Sequence, residues 1–219
     1  MSIESLSWDK VEWILKLAVI VGSAVILHEY AHGWVAYKLG DPTAKNAGRL
    51  TLNPIKHIDP VGTVLLPGIL IFLQAMGLNT FVFGWAKPVP VSFNRLNNPK
   101  RDMILVALAG PAINILLAII FSQILRLNQS TISFGNFDLL VSAIFINLIL
   151  AFFNLIPIPP LDGSRVVMGI LPNRYAAQYA QLERYGIIIV VVLFLYLGLF
   201  DTLVLPVVKY AGHLLGVNF

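Results

Sequence analysis

Five apolar blocks alternate with polar connections along the chain. They span about residues 11 to 38, 61 to 83, 102 to 126, 136 to 157 and 185 to 216. Apolar runs of this length predict helices that cross a membrane. The last block is interrupted by Asp201, Pro206 and Lys209. It therefore predicts either one long span or a span followed by a returning segment.

Composition supports a membrane protein. The 219 residues are 58% hydrophobic and 12% charged, with a mean hydropathy of +0.81. A soluble protein with a very apolar core would need more polar surface than these few charged residues provide. We therefore predict an all-α polytopic membrane protein with about 4 to 6 transmembrane helices. Residues 1–219 are expected to form a single domain, with the core motifs in residues 20–170 and further membrane segments in residues 171–219.

The polar stretch around the second block predicts a different local structure. Residues 40–101 are rich in Pro, Asn and Gly, and residues 49–52 and 87–91 have the pattern of short strands bounded by turn residues. The adjacent Pro67 and Gly68 offer a break at which the second block could dip into the membrane and return. We therefore expect a re-entrant, partly β segment between the first and the next core helix.

Charge distribution favours this re-entrant arrangement. A full crossing by the second block would place four basic residues on each side of the membrane. Membrane proteins usually carry an excess of basic residues in their cytoplasmic loops, so this equal division is unfavourable. With a re-entrant block, eleven of the fifteen basic residues lie on the cytoplasmic side. The first helix then runs inward, the third block outward and the fourth inward. The C-terminal ends of the first and fourth blocks meet at the cytoplasmic face.

The first block contains a metal-site pattern. His28, Glu29 and His32 form H-E-x-x-H, in which the two histidines share one face of a helix and can both bind zinc. The glutamate is placed to act as a base on water. Ordinary core histidines are the alternative, but three desolvated polar groups without a partner would be costly in a membrane helix. The chain has no cysteine, so any metal must use histidine and carboxylate.

A hydrolytic zinc site needs a third protein ligand. The candidates are His57, Asp59 and Asp162, and topology favours Asp162 because it follows the fourth block at the face where the first helix ends. The turn before it contains Pro157, Pro159 and Pro160, which cannot continue a helix. His57 and Asp59 are expected to cap or pack a re-entrant turn near the site.

Three motifs together resemble the site-2 protease family of intramembrane zinc metalloproteases, in particular its small bacterial members. They are H-E-x-x-H in the first block, Gly110 to Asn114 in the third, and Asn154 through Asp162 and Gly163 in the fourth. Residues 53–62 and 83–91 also resemble those small members, and the match covers roughly residues 20 to 170. Many relatives carry a PDZ domain after the third block, but the loop here, about residues 127 to 135, is too short for one.

The resemblance implies a function and a set of site residues. It implies one Zn²⁺ per chain bound by His28, His32 and Asp162, with Glu29 as catalytic base and Asn154 as a polar residue near the reacting carbonyl. It also implies hydrolysis of peptide bonds within or next to transmembrane segments of membrane protein substrates. Gly110 is expected to allow close helix approach, and Asn114 to form hydrogen bonds across helices near the site.

The remaining expectations concern partners and alternatives. The partners are a transmembrane protein or peptide substrate and the lipid bilayer. The basic residues are dispersed between apolar blocks, so we expect no nucleic-acid partner. We expect location in the cell (inner) membrane, with the active site towards the cytoplasm and without a cleaved signal peptide. A metal transporter and a catalytically inactive scaffold are the alternatives; an inactive scaffold would be expected to lose Glu29, which is present.

Overall fold

The structure is a computed structural model that describes residues 8–78, 84–128 and 132–219. The end of the second apolar block, residues 79–83, and residues 129–131 of the loop after the third lie outside the described residues. The α-helices are α1 (Trp8–Lys38), α2 (Thr43–Asn46), α3 (Leu66–Ala75), α4 (Pro99–Leu127), α5 (Phe134–Asn154), α6 (Asp162–Ile170), α7 (Asn173–Ala180), α8 (Gly186–Val191) and α9 (Leu205–Leu214). The 3-10 helices are Pro54–His57, Phe93–Arg95 and Gln181–Tyr185, and the π-helical turns are Pro60–Leu65, Val192–Tyr196 and Phe200–Val204.

Four helical stretches among the described residues are long and apolar enough to cross a membrane. They are Val11–Lys38, Pro99–Leu127, Gly135–Asn154 and Asn173–Phe194. The chain is therefore an all-α, multi-pass membrane protein, as predicted. The second block forms a shorter apolar helix, Pro60–Gln74. At 1.5 Å per residue it extends about 22 Å, less than the roughly 30 Å of a bilayer core. Its re-entrant course stays a prediction.

The two predicted strands do not form. Residues 49–52 and 87–91 are irregular, and no strand occurs in the part of the chain that the structure describes. Pro88 and Pro90 have no N–H group, so the second segment cannot complete a β-ladder. The N–H groups of this segment bond instead to separate partners. The Lys87 N–H, for example, donates to the carbonyl of His57 at 2.9 Å. The prediction of a partly β segment is therefore wrong for these residues.

The last apolar block divides into two segments. Gly198, whose φ of +64° is readily adopted only by glycine, separates the helical run that ends at Tyr196 from the one that begins at Phe200. The final segment packs along α5, where Phe219 contacts Phe145 with ring centroids 4.8 Å apart. Of the two arrangements that the sequence allowed, the structure therefore has two segments and not one long span.

Helices α1, α4 and α5 pack against one another and place the motif residues in a common interior. Small side chains make this close packing feasible, since Ala24 on α1, Ala118 on α4 and Ala151 on α5 are all buried. Pro111 lies inside α4 and is also buried. His28 and His32 of α1 consequently lie against α4 and the start of α6.

Candidate metal centre

Three potential metal ligands converge between α1 and α6. His28 Nε2 lies 3.0 Å from His32 Nε2, and Asp162 Oδ2 lies 3.0 Å from the first and 3.2 Å from the second. The two histidines are separated by one helical turn of α1, and Asp162 is the first residue of α6. His28 and His32 are 7% and 8% exposed. Within the part of the chain that the structure describes, these three side chains are arranged so that they could hold one metal ion.

The turn between α5 and α6 brings Asp162 to the histidines. Helix α5 ends at Asn154, and residues 155–161 form an irregular turn before α6 begins. Gly163 packs directly on this turn, since a Cβ atom there would lie 2.6 Å from the Ile156 carbonyl oxygen and closer to that of Leu155. A side chain at position 163 would therefore push the start of α6, and with it Asp162, away from α1.

Hydrogen bonds fix the tautomers of both histidines. His32 Nδ1 lies 2.7 Å from the carbonyl oxygen of Val106, which can only accept, so Nδ1 carries the proton. His28 Nδ1 lies 2.6 Å from Asn114 Oδ1. The Asn114 amide group donates to Asn147 Oδ1 at 2.9 Å and to the Ala24 carbonyl at 3.3 Å, which leaves its oxygen to accept from His28. Both Nε2 lone pairs are therefore free to bind a metal.

The donor set fits zinc. Two imidazole lone pairs and a carboxylate oxygen face one another, an arrangement that a cation bound between them would stabilise. Tetrahedral zinc with bonds of about 2.0–2.1 Å holds its nitrogen and oxygen ligands roughly 3.3 Å apart, close to the observed spacing. Asp162 completes the set as a carboxylate, since a carboxyl group binds a metal in its ionised form.

Gly110 of α4 leaves the space that the two imidazoles occupy. A Cβ atom at this position would lie 2.6 Å from both His28 Cε1 and His28 Nε2, and closer to His32 Nε2. Close helix approach was predicted at Gly110. The groups that approach α4 here are the two imidazoles of the candidate metal site.

Glu29 projects from α1 beside the first ligand. Its side chain is half-buried, and its Oε2 accepts a hydrogen bond from the backbone N–H of Val89 at 2.7 Å. One carboxylate oxygen is thereby held, and the other remains to take a proton. This contact with a backbone group has no signal in the sequence.

The other predicted site residues make separate local contacts. His57 is buried, and its Nε2 lies 2.8 Å from the Thr51 carbonyl. Asp59 accepts from the N–H groups of Val61 and Gly62 at 3.0 and 2.7 Å, which caps the turn that starts at Pro60. Both lie outside the three-ligand group. Asn154, half-buried at the end of α5, donates to the Leu150 carbonyl of its own helix at 2.9 Å.

Asn147 is a site residue that the sequence analysis missed. It is 1% exposed and links α5 to Asn114, and through Asn114 to His28. Its own amide group donates to the Ala143 carbonyl at 2.8 Å. An asparagine in the middle of a predicted membrane helix was the available signal, because such residues are costly there unless they have a partner.

Asn114→Ala is expected to weaken zinc binding about 10- to 100-fold, because it removes the acceptor that orients His28. Competition with a chromophoric zinc chelator would measure the affinity. Asn136→Ala, at an exposed position of α5, is the matched control and should bind zinc as the wild type does. Equal affinity in the two variants would show that Asn114 does not support the site.

Comparison with known proteins identifies a family and several relatives of this chain. The model of peptidase family M50 matches residues 122–197. YwhC of Bacillus subtilis (strain 168) is 43% identical over 175 residues, which cover 77% of this chain and 74% of that protein. Rip2 of Mycolicibacterium smegmatis is 32% identical over 187 residues, covering 81% and 66%. Rip2 of Mycobacterium tuberculosis (H37Rv) is 30% identical over 200 residues, covering 87% and 74%.

The names of all three relatives contain the term zinc metalloprotease. No solved structure gives a significant match. These relatives therefore support Zn²⁺ as the metal, which is also the metal that the donor set fits. On this likeness and on the convergent donor set, the chain belongs to peptidase family M50, the site-2 protease family, and is a membrane zinc metalloprotease.

Proposed function

We propose that the protein hydrolyses peptide bonds within or next to transmembrane segments of membrane protein substrates, as in regulated intramembrane proteolysis. The observation that carries this proposal is the depth of the cluster. His28 lies ten residues before the end of α1 at Lys38, which corresponds to about 15 Å along the helix axis. A peptide bond that reaches these groups has to enter the membrane region of the protein.

The proposed roles follow from the contacts. His28, His32 and Asp162 hold one zinc ion per chain, which when bound supplies the Lewis acidity that activates water and polarises a carbonyl. Glu29 accepts a proton from the attacking water and passes it to the leaving amine.

Asn154 is proposed to hydrogen-bond the reacting carbonyl or the substrate backbone as negative charge develops. It lies at the end of α5, eight positions before Asp162, and is half-buried. One of the two donors of its amide group bonds within α5, and the second is proposed to bond the substrate.

The active site is proposed to face the cytoplasm in the inner membrane of the cell. The charge distribution supports this orientation, and the contacts near the end of α1 support its placement at a membrane interface. Lys38 lies over the Trp34 ring at 5.6 Å and Lys45 over the Tyr37 ring at 4.5 Å. Aromatic and basic residues of this kind anchor helices at membrane interfaces.

Asp162→Ala is expected to remove most of the bound zinc and, with it, cleavage of a single-pass membrane protein in reconstituted vesicles. His57→Ala, whose side chain lies outside the cluster, should keep one zinc ion per chain and serves as the comparison. Metal analysis of both purified variants and a gel assay of cleavage would test this. If Asp162→Ala kept its zinc, or if only His57→Ala lost it, the third ligand would be assigned to His57 and not to Asp162.

A further inference from the structure

Residues 85–92 form an extended segment, here called the strap, that lies over α1 and the turn at Pro60. Its backbone N–H groups bond to several different parts of the protein. Trp85 donates to the Gly62 carbonyl at 3.1 Å, Lys87 to the His57 carbonyl at 2.9 Å, Val89 to Glu29 Oε2 at 2.7 Å, and Ser92 to Asp41 Oδ2 at 2.6 Å. The strap is thus anchored on both sides of the one N–H group that contacts the proposed catalytic base.

The backbone at Val89 has little conformational freedom. Pro88 fixes its own φ, and Pro90 restricts Val89 to extended conformations. The Val89 side chain is 7% exposed. It packs against Gly33 of α1, where a Cβ atom would lie 2.8 Å from Val89 Cγ1. The direction of the Val89 N–H group therefore depends on how the peptide group between Pro88 and Val89 is held.

Arg49 holds that peptide unit. Its Nη2 atom donates to the Lys87 carbonyl at 2.6 Å and to the Pro88 carbonyl at 3.3 Å. The Pro88 carbonyl belongs to the same planar peptide group as the Val89 N–H. In a trans peptide these two bonds point in opposite directions. A donor on the carbonyl side thus turns the N–H towards Glu29.

The placement of Arg49 is unfavourable for stability alone. The residue is 7% exposed, and its Nε atom is buried without a hydrogen-bond partner among the residues that the structure describes. Burying an incompletely paired guanidinium costs free energy. A functional reason for the arginine is therefore favoured.

We propose that Arg49 is a positioning residue for catalysis, which orients the Pro88–Val89 peptide so that its N–H holds one oxygen of the Glu29 carboxylate. This inference rests on the proposed role of Glu29 as base. It assigns to Arg49 an effect on the chemical step, and none on zinc binding or on substrate affinity.

Arg49→Met tests the proposal in the zinc-loaded protein, reconstituted in vesicles with a membrane substrate. We expect kcat to fall about 10- to 100-fold, since small errors in the placement of a reacting group cost this much. KM should stay within about threefold of the wild type, because the interaction lost is made in the chemical step. Zinc content should be unchanged, and Arg49→Lys, which keeps one donor, should recover part of kcat.

The matched control is Arg95→Met, an exposed position just beyond the strap, which should keep wild-type kcat. A wild-type kcat in Arg49→Met overturns the proposal. It is also overturned if Arg49→Met loses zinc, if KM alone changes, or if Arg95→Met loses as much activity. Should Arg49→Met fail to fold, Arg49→Lys is measured in its place: a smaller fall in kcat is expected with the same limits on KM and zinc content, and a wild-type kcat in Arg49→Lys would overturn the proposal.

A double-mutant cycle separates this inference from the proposed function. Glu29→Asp shortens the side chain and withdraws the carboxylate from the Val89 N–H, so adding Arg49→Met should cost no more than about twofold in kcat. An equal loss in both backgrounds would show that Arg49 acts elsewhere and would overturn the inference alone. Full activity in Glu29→Gln would instead overturn the proposed role of Glu29.

Discussion

Glu29→Gln is expected to lower kcat by about 10²- to 10⁴-fold while the purified protein keeps its zinc, because only the proton-accepting group is removed. Glutamine has nearly the same size as glutamate. Its side-chain oxygen can still accept from the Val89 N–H, which in the wild type lies 2.7 Å from Glu29 Oε2. The geometry is therefore preserved while the base is lost. Cleavage of a membrane substrate in vesicles and zinc analysis of the same sample would measure both.

Glu12→Gln provides the control for this prediction. Glu12 lies on the same helix and pairs with Lys16 at 2.6 Å on an exposed face. The same chemical change there should leave both zinc content and cleavage unaltered. A Glu29→Gln variant that holds zinc and cleaves at the wild-type rate would show that Glu29 is not the base.

Gly110→Ala is expected to abolish zinc binding and cleavage together. The added methyl group would lie 2.6 Å from His28 Nε2 and closer to His32 Nε2, inside the space of the two ligands. Neither imidazole can move aside without losing its contact with Asn114 or with the Val106 carbonyl. Zinc stoichiometry should fall well below one per chain, and cleavage by about 100-fold or more.

Gly22→Ala is the matched substitution for Gly110→Ala. Gly22 also lies in a membrane helix, but nothing lies within 4 Å of a Cβ atom at that position. Alanine is the better helix former, so this variant should fold, bind zinc and cleave normally. A Gly110→Ala variant with full zinc content would mean that the histidines do not lie against α4 as the structure shows.

Two signals in the sequence predicted the candidate ligand group. H-E-x-x-H places His28 and His32 on one helix face at any position of the chain, and charge counting brought Asp162 to the same end of the molecule. The structure brings these three side chains together. Helix positions could likewise be predicted from apolar length, since a bilayer requires a minimum span.

The surroundings of the ligands could not be predicted in the same way. His32 bonds to the carbonyl of Val106 and Glu29 to the N–H of Val89, and backbone groups are present at every position of a sequence. The strand prediction at residues 87–91 was wrong because it followed side-chain pattern, whereas the prolines remove the donors that a ladder needs. The contacts of His32 and Glu29 depend on tertiary packing, which brings distant parts of the chain together.

The position of the cut tests intramembrane proteolysis most directly. Wild-type protein and Glu29→Gln would be reconstituted in vesicles with a single-pass membrane substrate, and the fragments would be identified by mass spectrometry. We expect new termini within or next to the transmembrane segment, formed by the wild type and not by Glu29→Gln. New termini confined to the soluble part of the substrate, or the same termini with Glu29→Gln, would contradict a buried catalytic site at His28, Glu29, His32 and Asp162.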